Sequence, residues 1–477
     1  MLFNSIPFFI FLSIVFVLYW LVFEKRHKMQ NILLLVGSYL FYGWWDYRFL
    51  ALILASTLVD YFVGIALAKK ENKNTRKQLL WISLIFNLGL LGFFKYFNFF
   101  IDSWVDAWQL AGVSMHSSTL NIILPVGISF YTFQTLSYTI DIYRKKITPT
   151  HNFIEFATYV AFFPQLVAGP IERAAQLLPQ FKTKKHFNFK LAKEGIQLIV
   201  WGLFQKMVIA DSCATYANAI FANHQNLNSL TLIMGAVYFA FQIYGDFAGY
   251  SNIAIGTAKL FGFNLMRNFN YPYFSRDIAE FWRRWHISLS TWFRDYLYIP
   301  LGGSRGSKGQ QIRNIFIIFL VSGFWHGANW TFVVWGGLHA LFFLPLLLMK
   351  RNRKHLDLIA LNKVLPGMRE FFQMLLTFSL TSFAWVFFRS ATITESFLYI
   401  RRLFINLNFK VEFLNIERYS IEMLLVIGVF VLMEWFNRDK ECPISGKYSF
   451  LKMMMIILLI LTLGVYSEHQ NFIYFQF

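Results

Sequence analysis

The chain has 477 residues, 57% of them hydrophobic and 14% charged, and its 44 Lys and Arg against 25 Asp and Glu give a formal net charge of +19. Mean hydropathy is +0.46. Apolar runs recur from end to end, which excludes a soluble globular protein and leaves an all-α, polytopic integral membrane protein. The Lys and Arg residues sit in short clusters between apolar runs and form no continuous basic face, so they read as topology signals and not as a nucleic-acid surface.

In chain order, Met1-Leu2-Phe3-Asn4 lacks the basic region of a secretory leader, and the run from Ile6 to Phe23 reads as a first span. Further spans are expected near 31–45, 49–68, 79–100 and 122–142, each close to the roughly 20 residues a helix needs to cross the hydrocarbon. Basic clusters at Lys25-Arg26-His27-Lys28, Lys69 to Lys77 and Arg144-Lys145-Lys146 follow the first, third and fifth runs, whereas Asp102 to Asn121 contains no Lys or Arg. The positive-inside rule then places the N-terminus outside and these clusters in the cytoplasm.

The next run, Phe153 to Ala168, has basic residues on both sides and ends in Phe163-Pro164 and Gly169-Pro170, so it is expected as a re-entrant or in-plane segment buried in protein. Spans near 195–212 and 229–246 follow, separated by a loop from Cys213 to Ser229. A basic region then covers Lys259 to Arg313. Two crossings near 314–326 and 330–348 are joined by the turn His326-Gly327-Ala328-Asn329, and spans near 370–388, 420–437 and 450–466 bring the expected total to about 11–12. Cys213 and Cys442 fall on opposite sides of that topology, so no disulfide is expected. No internal repeat or soluble domain is evident; the expectation is one membrane domain over 1–477 with its core at about 122–348.

Chemistry concentrates in two segments. From Arg276 to Tyr298, Ile278, Phe281, Trp282, Trp285, Leu289, Trp292, Phe293 and Tyr296 recur at helical spacing, which predicts one amphipathic helix with His286 on its apolar side and Asp277, Glu280, Arg284 and Asp295 on the other. A cytoplasmic interface helix accounts for the arginines but not for His286. His326 follows the apolar run Ile315 to Phe324, where an imidazole requires a partner or a function. Asp246, in Tyr244-Gly245-Asp246-Phe247-Ala248-Gly249-Tyr250-Ser251, could orient a histidine, line a polar cavity or cap a helix from Asn252 to Leu260. Asp141, Glu172 and Arg173 read as solvated residues at membrane edges. No metal-ligand spacing and no G-x-S-x-G elbow occurs, so no metal is expected.

Four runs resemble the membrane-bound O-acyltransferases, and specifically the bacterial branch containing the alginate O-acetyltransferase membrane subunit. They are Asp246 to Ser251, Phe281 to Ser290, Arg294 to Gly303 and Trp325-His326-Gly327-Ala328-Asn329-Trp330. The similarity extends over Asn4 to Tyr19, Pro125 to Tyr143, Pro164 to Glu172 and Phe472 to Phe477. The resemblance implies a ring of helices around a central tunnel, with the residue matching His326 as the essential catalytic group and that matching His286 in support. Asn329, Trp325, Trp330, Asp246, Arg283 and Arg284 are the candidate substrate-binding residues.

The implied activity is transfer of an acetyl group from a cytoplasmic thioester, acetyl-CoA or an acyl carrier protein, to hydroxyls of an exported polysaccharide. Transfer is direct or through a periplasmic acetyltransferase partner, in the bacterial cytoplasmic (inner) membrane. No permanently bound cofactor is expected. D-alanyl or peptidoglycan O-acyl transfer keeps the same chemistry, and a polytopic transporter or flippase is the alternative of a different class.

Overall fold

A computed structural model describes all residues except 116–119, 121, 168, 411, 413, 415–419, 467–471 and 474–477, and the side chains of residues 420 and 421. The ends of the stretches Asp102 to Asn121 and Phe153 to Ala168, and the last four residues of Phe472 to Phe477, therefore lie outside the described residues. All regular structure among the described residues is helical. Among the described residues, six helices or joined helices are long and apolar enough to cross a membrane: His27–Lys69, Lys73–Leu110, Phe189–Ala222, Ser229–Leu260, Trp330–Leu348 and Met368–Arg389. The protein is a multi-pass membrane protein. Other expected crossings are shorter or more polar helices.

The chain forms two compact units, residues 1–195 with 254–266, and residues 196–253 with 267–477. The first contains α1 (Ile6–Val17), α2 (His27–Asp46), α3 (Leu50–Lys69), α4 (Lys73–Leu91), α5 (Phe97–Leu110), α6 (Ile128–Tyr143), α7 (Phe153–Ala161), α8 (Phe163–Leu166) and α9 (Ala174–Leu177). A carboxylate in apolar protein is tolerable only when fully hydrogen-bonded. Asp60 of α3 meets this by accepting from the Ser83 hydroxyl and from Asn87 Nδ2 at 2.8 Å, both on α4, and from Thr139 Oγ1 of α6 at 3.1 Å. Three helices are pinned by one side chain. α7 is too short to cross, and Asn152 caps it by accepting from Ile154 N at 3.1 Å. Its last six residues, Phe156 to Ala161, are buried, as a shielded in-protein segment requires.

The second unit holds α10 (Phe189–Phe204) from residue 196 on, α11 (Asp211–Ala222), α12 (Ser229–Leu260) as far as residue 253, α13 (Ile278–Arg284), α14 (Ile287–Phe293), α15 (Lys308–His326), α16 (Trp330–Leu348), α17 (Met368–Arg389), α18 (Ile393–Ile405), α19 (Ser420–Phe436) and α20 (Ser449–Leu463). A wide π-turn over Gln205–Ala210 joins α10 to α11, so helix occupies most of what sequence assigned to a loop from Cys213. α12 runs unbroken through Asp246, which corrects the reading of that residue as a helix cap.

α15 and α16 form a hairpin whose close approach depends on two glycines. A Cβ on Gly323 would lie 2.2 Å from the Phe332 carbonyl oxygen, and one on Gly336 would lie 2.3 Å from that of Phe319. Backbone faces backbone there, and no side chain fits. The expected single helix from Arg276 to Tyr298 is broken. Trp285 is extended (φ −98°, ψ 128°) and His286 is left-handed (φ 43°, ψ 55°), so α13 and α14 are separate seven-residue helices. The helical pattern persisted across the break because two short helices carry apolar faces as well as one long one does. Asp141, Glu172 and Arg173 are buried, not solvated.

Candidate active site

His286 is placed by the segment that precedes α13. Asn270 N donates to Arg284 O and Ile287 N to Asn268 O, both at 2.9 Å, so residues 268–270 run beside 284–287 and hold the left-handed turn. That turn delivers the imidazole to Asn268, whose Oδ1 lies 3.1 Å from His286 Nδ1 and accepts from Ser288 N at 3.2 Å and Ser288 Oγ at 2.9 Å. A backbone N–H only donates, so the Asn268 atom facing it is the oxygen, and His286 Nδ1 carries the hydrogen toward that oxygen. Asn268 Nδ2 donates to Ser251 Oγ of α12 at 3.1 Å, which fixes the amide from its other end. Nε2 is therefore the proton-accepting nitrogen of His286. Burial pushes this imidazole well below its ordinary value and keeps it neutral. Phe247 of α12 meets the ring edge-on at 4.5 Å.

His326 is the last residue of α15, where extended Gly327 turns the chain toward α16. Its ring centroid lies 5.0 Å from Trp325, 5.1 Å from Trp335 of α16, 5.3 Å from Phe388 of α17 and 6.5 Å from His286. The two imidazoles, 40 residues apart in sequence, are thus neighbours in an aromatic enclosure. Trp325 also faces His286, at 5.9 Å.

The remaining candidates occupy other positions. Asn329 caps α16, accepting from Thr331 N at 3.0 Å, and its Nδ2 donates to Ala391 O at 2.8 Å. Trp330 is exposed. Asp246 belongs to a buried ion cluster in which Lys206 Nζ, on the π-turn, lies 2.8 Å from both Asp211 and Asp246, and Asp246 also accepts from Ile473 N at 2.7 Å. Arg283 donates to the carbonyls of Asn352 and His355 at 2.8 and 2.7 Å, tying down the segment after α16. Arg284 and Arg276 share Glu280 at 2.7 and 3.0 Å. Burial alone would raise the Glu280 carboxyl, but hydrogen bonds from Arg276 and the charge of Arg284 outweigh it and hold the group below its ordinary value.

A cavity of about 460 Å³ lies beside these elements. Its walls include Trp282, Phe293, Ile315, Phe319, Phe343 and Leu347, with Arg294, Lys350 and Arg353 also lining it. All three cations are exposed, so they mark its open side. Ser322, one turn before His326 on α15, lies on its wall. Trp282 donates from Nε1 to His339 Nδ1 at 3.2 Å, and its ring also meets Trp335 at 5.7 Å. The contacts thus run from the cavity through Trp282 and Trp335 to His326.

The model of the membrane-bound O-acyltransferase family matches residues 142–385, a range that contains both histidines and every residue lining the cavity. The chain belongs to the membrane-bound O-acyltransferase family. It is an O-acyltransferase, which decides against the transporter alternative. It is 43% identical over 82% of its length to "Probable alginate O-acetylase AlgI" of Pseudomonas aeruginosa, covering 72% of that protein. It is 36% identical over 86% of its length to the peptidoglycan O-acetyltransferase of Helicobacter pylori, covering 80% of it. It is 31% identical over 47% of its length to the teichoic acid D-alanyltransferase of Bacillus subtilis, covering 60% of it.

Sequence reading passed over Asn268, Ser288 and His339. Asn268 lies 18 residues from the ring it orients, and nothing local marks that pairing. His339 could have been found, because it is an imidazole inside an apolar run just as His326 is.

Proposed function

We propose that this O-acyltransferase moves acetyl groups from a cytoplasmic phosphopantetheine thioester, acetyl-CoA or an acyl carrier protein, toward hydroxyls of an exported polysaccharide, directly or through a periplasmic transferase partner, in a bacterial cytoplasmic membrane. The observation that carries the reading is the pairing of two buried imidazoles with a neighbouring cavity that bears cations at its open side and an apolar wall running to Ser322. Exposed cations suit the phosphates of the donor, and the apolar wall suits its arm. The identity to O-acetylases supports acetyl as the cargo.

In the proposed step, His326 acts as general base. The acceptor hydroxyl gives its proton to the ring as its oxygen bonds to the thioester carbonyl carbon; the C–S bond then breaks, and the thiolate leaves with that proton. His286 is neutral and oriented by Asn268, and it positions the acceptor. A general base typically contributes about 10²- to 10⁴-fold. The orientation of His286 Nε2 as an acceptor also favours a second reading, in which His286 is the base and His326 the supporting group. The test is transfer or hydrolysis of labelled acetyl-CoA by the purified full chain. His326→Ala at normal abundance is expected to abolish it; near-normal transfer by that variant ends the first reading, and loss confined to His286→Ala selects the second.

A further inference from the structure

We propose that Trp335 and Phe388 limit the acyl group to a short chain, so that the aromatic enclosure of His326 sets donor specificity. The inference rests on the reading of His326 as the residue at which acyl transfer occurs. An acyl carbon under attack must lie within reach of His326, so its alkyl tail must lie among the groups around that ring. Those groups are aromatic and close: Trp325, Trp335 and Phe388 stand 5.0 to 5.3 Å from the imidazole centroid.

The layer behind them is also filled. Trp335 stacks on Trp385 at 5.4 Å and 22°, meets His339 at 4.8 Å and touches Phe388 at 5.2 Å. Phe388 in turn meets Phe332 at 4.8 Å and Trp385 at 5.1 Å. Trp335, Trp385 and Phe388 are all within 1% of complete burial. Gly323 and Gly336 bring the two helix backbones into contact beside Trp335, which seats the indole close to α15. The Trp335 Nε1–H has no hydrogen-bond partner among the described residues. The indole is therefore held by packing, and what it supplies at this position is volume.

A tail longer than the space beside the imidazole must displace a ring that has nowhere to go. One methylene too many in a fitted apolar pocket is worth roughly 10- to 200-fold in discrimination. The native enzyme is thus expected to turn over acetyl, propionyl and butyryl thioesters in falling order, with butyryl the poorest. Truncating either ring removes the stop.

The experiment uses the purified full chain with acetyl-, propionyl- and butyryl-CoA, and in parallel the same three acyl groups on a phosphopantetheinylated carrier protein, following release of free thiol. The readout is the ratio of butyryl to acetyl turnover, because a merely structural role lowers all donors together. Trp335→Ala and Phe388→Ala are expected to raise that ratio at least 10-fold, and Trp335→Phe by less. Should Trp335→Ala fail to fold, Trp335→Phe and Phe388→Leu carry the same test with smaller cavities. Unchanged ratios in folded variants that still turn over acetyl thioester overturn the proposal while leaving the function intact. If the native enzyme uses none of the thioesters, the donor reading fails and takes this one with it.

Discussion

Asn268→Ala tests whether His286 is held for chemistry. The Asn268 oxygen serves His286 Nδ1, Ser288 N and Ser288 Oγ at 3.1, 3.2 and 2.9 Å. All three residues are fully buried. Removing the amide takes the shared acceptor from the Ser288 backbone N–H and leaves the ring N–H the longer contact to Ser288 Oγ at 3.4 Å, and a lost buried hydrogen bond costs about 1–3 kcal/mol. Water entering the space of the lost side chain offsets part of this, so the expected loss of stability is about 2 kcal/mol. The catalytic loss is of similar size. Without its acceptor the ring exchanges tautomers and rotates, and about 1.4–2.7 kcal/mol of lost orientation corresponds to a 10- to 100-fold lower rate.

The assay is acyl transfer in membranes at matched protein abundance, with a detergent melting curve run beside it. Asn268→Asp separates orientation from charge. It retains an acceptor for Nδ1, but its carboxylate favours the imidazolium and raises a pKa that burial had depressed. Activity that requires neutral His286 then survives at pH 8 and falls off at a higher pH than in the native enzyme as the solution is acidified. Native rates in Asn268→Ala at native abundance would refute the reasoning.

Gly323→Ala places a methyl 2.2 Å from a carbonyl oxygen and is expected to cost about 1–3 kcal/mol and most of the activity, whereas Gly337→Ala, whose methyl would meet only Leu320 Cδ2 at 3.8 Å, should be near neutral in both melting and transfer. Glu280→Gln leaves Arg276 and Arg284 facing a neutral group and should lower stability by about 3 kcal/mol at pH 7, at the low end for a broken buried pair because Asp357 still meets Arg276 at 3.1 Å. Because the Glu280 carboxyl is held below its ordinary value, its contribution is present at neutral pH and lost as pH falls through the folded-state pKa, so the gap to the variant narrows in acid melts. Glu172 has the opposite sign: burial pushes its carboxyl up to about 7, against the Met266 N–H and the charge of Arg173. The unfolded chain releases that proton near 4.5, so the folded state loses stability as pH rises from there toward 7, and Glu172→Gln should gain up to about 3 kcal/mol over the native chain at pH 8 but not at pH 4. Arg353→Ala combined with Lys350→Ala should raise the donor KM with little change in kcat and flatten its salt dependence, measured with acetyl-CoA at low and high ionic strength.

What the sequence made legible follows the range of each interaction. The crossings at 27–69, 330–348 and 368–389 are long apolar runs, a property of neighbouring residues, and they appear within a few positions of where hydropathy puts them. His326 was visible because an imidazole at the end of an apolar run is an anomaly in its own neighbourhood. The break at His286 was not, because the left-handed turn is imposed by residues 268–270 and the helical pattern continues across it. Asp246 looked like a cap because its flanking glycines are local, while its partner Lys206 lies 40 residues away on a π-turn. Local anomalies could be read from the chain; distant partners could not.

The arrangement of polar groups in the second unit supports the proposal that histidines rather than acids carry the chemistry. Glu434 accepts hydrogen bonds from Tyr244 and Gln205 at 2.8 and 3.4 Å, and three other buried acids here are committed to cations: Asp211 and Asp246 to Lys206, and Glu280 to two arginines. A base so engaged would have to give up a charged partner to accept a proton, at a cost of several kcal/mol in a low-dielectric interior. A neutral imidazole forfeits no ion pair when it binds a proton, and its apolar surroundings disfavour keeping it. Burial makes the His286 ring a reluctant proton holder, which suits the proposed step, in which a ring accepts a proton only while a bond forms. In the proposed mechanism the aromatic enclosure has a second use beside specificity, since water admitted beside the rings would stabilise the imidazolium and supply a competing nucleophile for the thioester.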